Sequence, residues 1–285
     1  MHLLIFGMGY TGTAIAAEAA VLGFRVTATS RDPSRLTAPQ GVELIAFDAA
    51  GTALRDTTHM LQTAAPDEEG DPALHRFGNE IAAAPLVWLG YLSTTGVYGD
   101  RGGAWVSEDT APAPSGERGH RRLEAEEAWR MVAGKRALDL FRVAGIYGPG
   151  RSPFAEIRGG GARRVDKPGH AFGRIHRDDI TAAVLAAMQQ PHGVRVLNLN
   201  DDEPAPSADV TAEAARLLGL PPPPLVPFTE AIQSMSEMGR SFWAESRRVR
   251  SVATQAMLGL RWRYPSYREG LAATLLEERR QGFAE

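Results

Sequence analysis

The chain opens on a short apolar run, Leu3-Leu4-Ile5-Phe6, that breaks directly into Gly7-Met8-Gly9-Tyr10-Thr11-Gly12. This is Gly-x-Gly-x-x-Gly at the end of a predicted strand, and Thr13 to Ala20 behind it is a strong helix former. Strand, glycine turn and helix in that order admit few folds. Gly7 permits the tight turn, Gly9 lets the backbone approach a diphosphate, and Gly12 lets the helix pack closely on the strand. A diphosphate held there meets free N–H groups and the positive end of the helix dipole. Gly7, Gly9, Tyr10, Thr11 and Gly12 are therefore the expected dinucleotide cradle. The competing reading is a packing turn in a nucleotide-free α/β protein.

Downstream, Phe24–Thr29, Val42–Phe47, His59–Gln62, Pro85–Leu92, Ala137–Val143 and Val194–Leu199 read as strands. Helical segments at Ala73–Ala84, Glu117–Val132 and Asp178–Gln189 fall between them. This alternation predicts a doubly wound (Rossmann) α/β fold, a parallel sheet with helices on both faces and a smaller C-terminal lobe. Residues 1–150 are read as the NAD(P)-binding domain, with 176–200 rejoining it, and 151–285 as the smaller substrate-facing lobe. Arg158 to Arg164 reads as a flexible basic loop and Pro221 to Pro224 as a stiff connector. The absence of cysteine excludes disulfides, thiolate metal sites and cysteine nucleophiles, and no metal site is expected. A formal charge of −3 argues against a nucleic-acid partner. No stretch approaches the roughly 18 apolar residues of a membrane span, so the expectation is a cytoplasmic protein, monomer or homodimer, acting on a small molecule.

The tip of the second strand decides between cofactors. An acidic residue there holds the ribose 2′-OH of NAD, whereas an arginine accommodates the 2′-phosphate of NADP. The tip here is Thr29-Ser30-Arg31-Asp32, with Arg35 one turn on. Ser30, Arg31 and Arg35 favour NADP, while Asp32 keeps NAD admissible and offers Arg31 an ion-pair partner. Asp48, after the third strand, is placed either to accept from the adenine amino group or to cap a turn.

Four ordered segments resemble the extended short-chain dehydrogenases/reductases of the epimerase/dehydratase group. Leu92-Ser93-Thr94-Thr95-Gly96-Val97-Tyr98-Gly99-Asp100 is similar to the family's segment after the fifth strand, and Phe141 to Pro149 to its sixth-strand motif. Arg174 to Ile180 resembles its His-x-Asp-Asp segment, and Trp262 to Leu271 the entry to its C-terminal helix. The resemblance implies a nicotinamide cofactor and gives Thr94 the role of a hydroxyl that holds the substrate oxygen.

The family's catalytic Tyr-x-x-x-Lys is missing. Lysine occurs only at Lys135 and Lys167, and the residues four positions earlier are Met131 and Arg163. Against the family's helix, Arg118 stands at the tyrosine position and Arg122 at the lysine position. Guanidinium stays protonated and cannot shuttle a proton. Residues four apart share a helix face, so the pair is read as a grip for an anionic or phosphorylated substrate, or as a solvated face with Arg122 paired to Glu126. The basic residues Arg158, Arg163, Arg164 and Lys167 point the same way. Tyr98 is the candidate replacement phenol, with His120 and His176 as other titratable groups. His176 is read either as a substrate contact or as the anchor of a loop to its helix. The missing pair resembles the atypical branch of the family, the YeeZ-type proteins most of all. The function expected is an NADP-dependent oxidoreductase; the alternatives are a non-catalytic NADP(H) redox sensor and a nucleotide-sugar epimerase/dehydratase.

Overall fold

The computed structural model describes residues 1–283. Its centre is a seven-stranded parallel sheet: β1 (His2–Phe6), β2 (Arg25–Ser30), β3 (Val42–Ala46), β4 (His59–Gln62), β5 (Trp88–Thr94), β6 (Ala137–Val143) and β7 (Val194–Leu199). The strand order is β7-β6-β5-β4-β1-β2-β3, and every neighbouring pair is parallel. Chain order reverses between β1 and β4, which opens a crevice at the carboxyl ends of those two strands.

Both faces are covered, as apolar strands require. Alternate residues of a strand point to opposite faces. Leu3 and Ile5 of β1 therefore join Val26, Ala28 and Leu197 on one side, beneath α1 (Tyr10–Val21). The helix Arg177–Gln189 packs beside α1, burying Ile180, Ala183, Val184 and Ala187. Leu4 and Phe6 face the other way, with Met60, Leu89 and Tyr91. They meet Phe77 and Ile81 of the helix Pro72–Ala83 and Ala125 and Trp129 of the helix Glu117–Ala133. In chain order these three helices are α2 (Pro72–Ala83), α3 (Glu117–Ala133) and α4 (Arg177–Gln189). No described helix is long and apolar enough to cross a membrane.

Two differences from the sequence reading have local causes. The fifth strand starts at Trp88, three residues later than expected, because proline cannot donate to a central ladder. It runs on through Ser93 and Thr94, which carries Thr94 to the edge of the crevice. The basic segment Arg158–Arg164 forms a loop over 159–163 and is tied down at its end, where Arg164–Asp166 pairs in parallel with Leu225–Pro227. Arg163 donates to Ser234 and Arg164 to the carbonyl of Pro223.

Strand β6 carries two buried charges. Asp139 accepts two bonds from Arg195 of β7, at 2.6 and 2.7 Å, and one from the Trp88 indole at 2.6 Å. Arg142 donates to both carboxylate oxygens of Glu126 on α3, at 3.1 and 2.8 Å, with neither side chain more than 3% exposed. Removing one partner of such a pair leaves an uncompensated charge, at a cost of about 3–5 kcal/mol. Arg142→Leu should therefore lower unfolding stability in urea by that amount, and the added change Glu126→Leu should restore much of the loss. A single variant within about 1 kcal/mol of wild type, well inside the ordinary range of point mutants, would show that α3 is held in place by something else.

Candidate functional site

The glycine turn is drawn tight by its neighbours. Met8 N–H donates to the Thr29 carbonyl and Gly7 N–H to the Thr29 hydroxyl. The Thr63 hydroxyl, just past β4, donates to the Gly7 carbonyl at 2.7 Å. Each glycine has a distinct steric reason. Gly7 has φ +98°, and a Cβ there would stand 2.7 Å from Thr63 Oγ1. A Cβ on Gly12 would stand 2.3 Å from the Gly7 carbonyl oxygen, so glycine is what lets α1 lie against the strand end. Gly9 differs: its backbone is extended, and a Cβ there meets nothing within 4 Å. It precedes α1, whose N-terminus has no side-chain cap and no acidic residue in its first turn. Uncapped amides beside an open space form a ready anion cradle. Thr11 is buried, and Tyr10 leans across the crevice, its hydroxyl donating to the Pro149 carbonyl at 3.0 Å. Burial pushes the Tyr10 phenol up to about 12.

At the tip of β2, Asp32 pairs with Arg35 at 3.3 Å and caps the turn through Ser34 N–H. Ser30 Oγ accepts from Asp32 N–H. Arg31 is exposed and forms no ion pair among the described residues, so Asp32 is satisfied by Arg35 and Arg31 stays free at the strand end. Asp48 is exposed, in the short turn Phe47–Ala49, 3.7 Å from Arg76.

The residues expected to carry chemistry do not converge as the sequence suggests. Thr94 ends β5 half-buried; its Oγ1 accepts from Gly96 N–H at 3.1 Å, which leaves its own proton to donate. Tyr98 has no exposed surface. Its hydroxyl donates to Asn198 of β7 at 2.7 Å, and the Arg142 guanidinium lies 4.8 Å from its ring centre. Burial raises this phenol, and its placement is that of a packing residue that holds the loop. Arg118 and Arg122 do not act as a pair. Arg122 donates to the Leu92 carbonyl at 2.7 Å and lies over the Tyr91 ring, whereas Arg118 is exposed and lies over the ring of Phe242. Glu126, the alternative partner of Arg122, is taken by Arg142 and Ser93. His120 is exposed, bonded to the Gly116 carbonyl. His176 is 1% exposed and capped into α4: its Nδ1 accepts from Asp178 N–H at 3.2 Å and its Nε2 meets the Thr274 hydroxyl.

One residue near Thr94 has no sequence signal. Arg247 comes from the C-terminal region, 148 residues beyond the Gly99 carbonyl to which its Nη1 donates at 3.0 Å. Its Nη2 lies 3.9 Å from where a Cβ on Gly96 would stand. Neither periodicity nor a motif connects positions so far apart in the chain.

A parallel sheet in this order, with an open glycine turn after β1, defines a Rossmann-type α/β protein. No family model matches the chain. It is similar to the protein YeeZ of Escherichia coli strain K12, at 29% identity over 238 residues, 77% of this chain and 84% of YeeZ. It is also similar to the solved structure of a functionally unknown conserved protein from Silicibacter pomeroyi, with TM-score 0.90 and 45% identity over 97% of this chain and 98% of that one. MoeE5, solved in complex with UDP-glucose and NAD, shares the fold at TM-score 0.79 and 22% identity, over 100% of both chains. The chain is YeeZ-like, on a Rossmann fold.

Burial lowers the His176 imidazole to about 4 from its ordinary 6.5. The unfolded chain therefore binds the proton first as pH falls. The stability this neutral ring contributes is complete above pH 6.5 and is lost on descent towards pH 4. Asp179 and Asp201, raised by burial to about 6 and about 8, work in the opposite sense over pH 4–8. The difference between wild type and His176→Asn isolates the histidine, since asparagine keeps a capping acceptor. Denaturation at pH 7 and pH 4 should show wild type losing roughly 3 kcal/mol more than the variant. Equal losses would place the imidazole in a more solvated setting.

Proposed function

We propose that this protein is an NADP-dependent oxidoreductase, with NAD as an admissible second cofactor, that acts on a small anionic or phosphorylated substrate. The observation that carries the reading is the open, uncapped turn at Gly9, paired with the unengaged Arg31 at the end of β2. MoeE5, of the same fold, was solved with NAD. In this reading Gly7, Gly9, Tyr10, Thr11 and Gly12 cradle the diphosphate, Ser30, Arg31 and Arg35 meet the 2′-phosphate, and Asp48 faces the adenine. Residues 1–150 with 176–200 hold the cofactor, and 151–285 supply the substrate side. Thr94 holds the substrate oxygen through its free hydroxyl proton, and Tyr98 supports the loop from behind. The protein works in the cytoplasm, as a monomer or homodimer.

A bulky residue at Gly9 is accommodated by the protein itself, because nothing stands within 4 Å of its Cβ. Gly9→Val should therefore fold with an unchanged melting temperature in the absence of cofactor, and lose the thermal shift that NADP(H) produces in wild type. A wild type that shifts with neither NADP(H) nor NAD(H) at millimolar concentration would overturn the dinucleotide reading.

Arg31 sets the cofactor preference. A hydrogen bond to a charged group contributes roughly 1.5–3 kcal/mol, about ten- to a hundredfold in affinity. In titration calorimetry Arg31→Ala should weaken NADP by that factor and leave NAD nearly unchanged. Equal losses for both cofactors would show that Arg31 does not read the phosphate.

A second reading, a non-catalytic NADP(H) sensor, is favoured by the missing Tyr-x-x-x-Lys together with the full burial of Tyr98. Tight NADPH binding without turnover on phosphorylated and acidic carbonyl compounds would select it.

A further inference from the structure

The segment around residue 246 lies across the loop that follows β5 and is fixed there by backbone bonds. Arg101 N–H and Gly103 N–H both donate to the Ser246 carbonyl at 3.0 Å, and Ser246 N–H donates to Asp100 Oδ1 at 2.8 Å. Immediately beyond, Arg248–Val249 pairs in parallel with Trp105–Val106. Arg247 is thus presented from a rigid backbone, with its side chain 17% exposed.

Its guanidinium is half used. Nη1 donates to the Gly99 carbonyl and to Glu245 Oε2. Nη2 and Nε have no hydrogen-bond partner among the described residues. Nη2 stands 3.9 Å, and Thr94 Oγ1 3.3 Å, from the point a Cβ on Gly96 would occupy. A charged donor and a hydroxyl with a free proton therefore flank one small space, floored by bare backbone. The nearby acids are already engaged: Glu245 by Arg247 Nη1 and the Ser115 hydroxyl, Asp100 by the amides of Gly102 and Ser246. Two donors with no acceptor between them match the oxygens of an anion.

We propose that Arg247, with Thr94 and the backbone of Gly96, forms the site for an oxyanion group of the substrate, a carboxylate or phosphate a short link from the oxygen held by Thr94. The proposal rests on reading the crevice as a cofactor and substrate site. It moves the anion contact from the α3 arginines to the C-terminal lobe.

The test titrates inorganic phosphate and oxalate, separately, into the NADP-loaded protein by calorimetry. Wild type should bind at least one at millimolar concentration, and the better ligand identifies phosphate or carboxylate as the group. Arg247→Met should weaken that binding roughly ten- to a hundredfold, and Arg247→Lys should restore part of it. Gly96→Ala leaves the Arg247 bonds intact but fills the space, so it should weaken the same probe even if Arg247→Met folds poorly. Both variants should keep the NADP(H) thermal shift of wild type. Unchanged probe affinity in Arg247→Met and Gly96→Ala, or no binding of either probe to wild type, overturns the site. A wild type without any NADP(H) shift defeats the cofactor reading instead, and the same comparison on the cofactor-free protein still decides the role of Arg247.

Discussion

The buried ion pair between Glu126 and Arg142 ties helix α3 to the carboxyl ends of β5 and β6. Helix α3 has few apolar side chains with which to hold its place; Ala125, Trp129 and Ala133 are its buried hydrophobics. The rest of the hold is polar. Glu126 takes two bonds from Arg142 and a third from the Ser93 hydroxyl at 2.6 Å. The other face of Arg142 lies on the Tyr98 ring, the Tyr98 hydroxyl reaches Asn198, and Asn198 donates to the Arg250 carbonyl at 3.0 Å. One connected network thus ties α3, β5, β6, the turn after Thr94, β7 and the C-terminal segment that carries Arg247. Desolvated charges tolerate little geometric error, so this network locates Thr94 more sharply than an apolar core would.

The middle of the sheet was legible because β1, β4, β5 and β6 are buried on both faces. The bounds of β4, β6 and β7 are those expected from the sequence; β5 starts late, where Pro85 cannot join a ladder, and runs two residues further, to Thr94. The short parallel pairs were not legible. Gly145–Tyr147 with Arg174–His176, and Trp105–Val106 with Arg248–Val249, have two or three residues a side and no period to detect. The glycine turn was readable because its constraints are local: Gly12 is needed against the Gly7 carbonyl five residues away. The substrate end was not, since its partners are distant in sequence. Helical spacing put Arg118 and Arg122 on one face, but tertiary contacts separate them. The Leu92 carbonyl at the end of β5 takes one and Phe242 of the C-terminal region takes the other. Tyr98 looked available because it follows Thr94 closely, yet the turn Thr95–Tyr98 rotates its ring into the interior.

What remains beside Thr94 is the guanidinium of Arg247. Of the groups that could exchange a proton, Tyr98 and His176 are sealed in the core, and His120 is exposed on the carbonyl of Gly116. A fixed cation next to a hydroxyl donor stabilises negative charge that develops on a substrate oxygen, and does so without moving a proton. Under the oxidoreductase reading, a bound nicotinamide cofactor would supply the hydride, Thr94 and Arg247 would hold the charge on the substrate oxygen, and solvent would supply the proton. Under the sensor reading, the same cations hold an anionic ligand against the cofactor with no step to follow. Both readings can use the anion, and neither needs the phenol. If the proposed anion site holds, a chain without Tyr-x-x-x-Lys keeps a coherent site, one set by the arginine that the C-terminal region brings to Gly96.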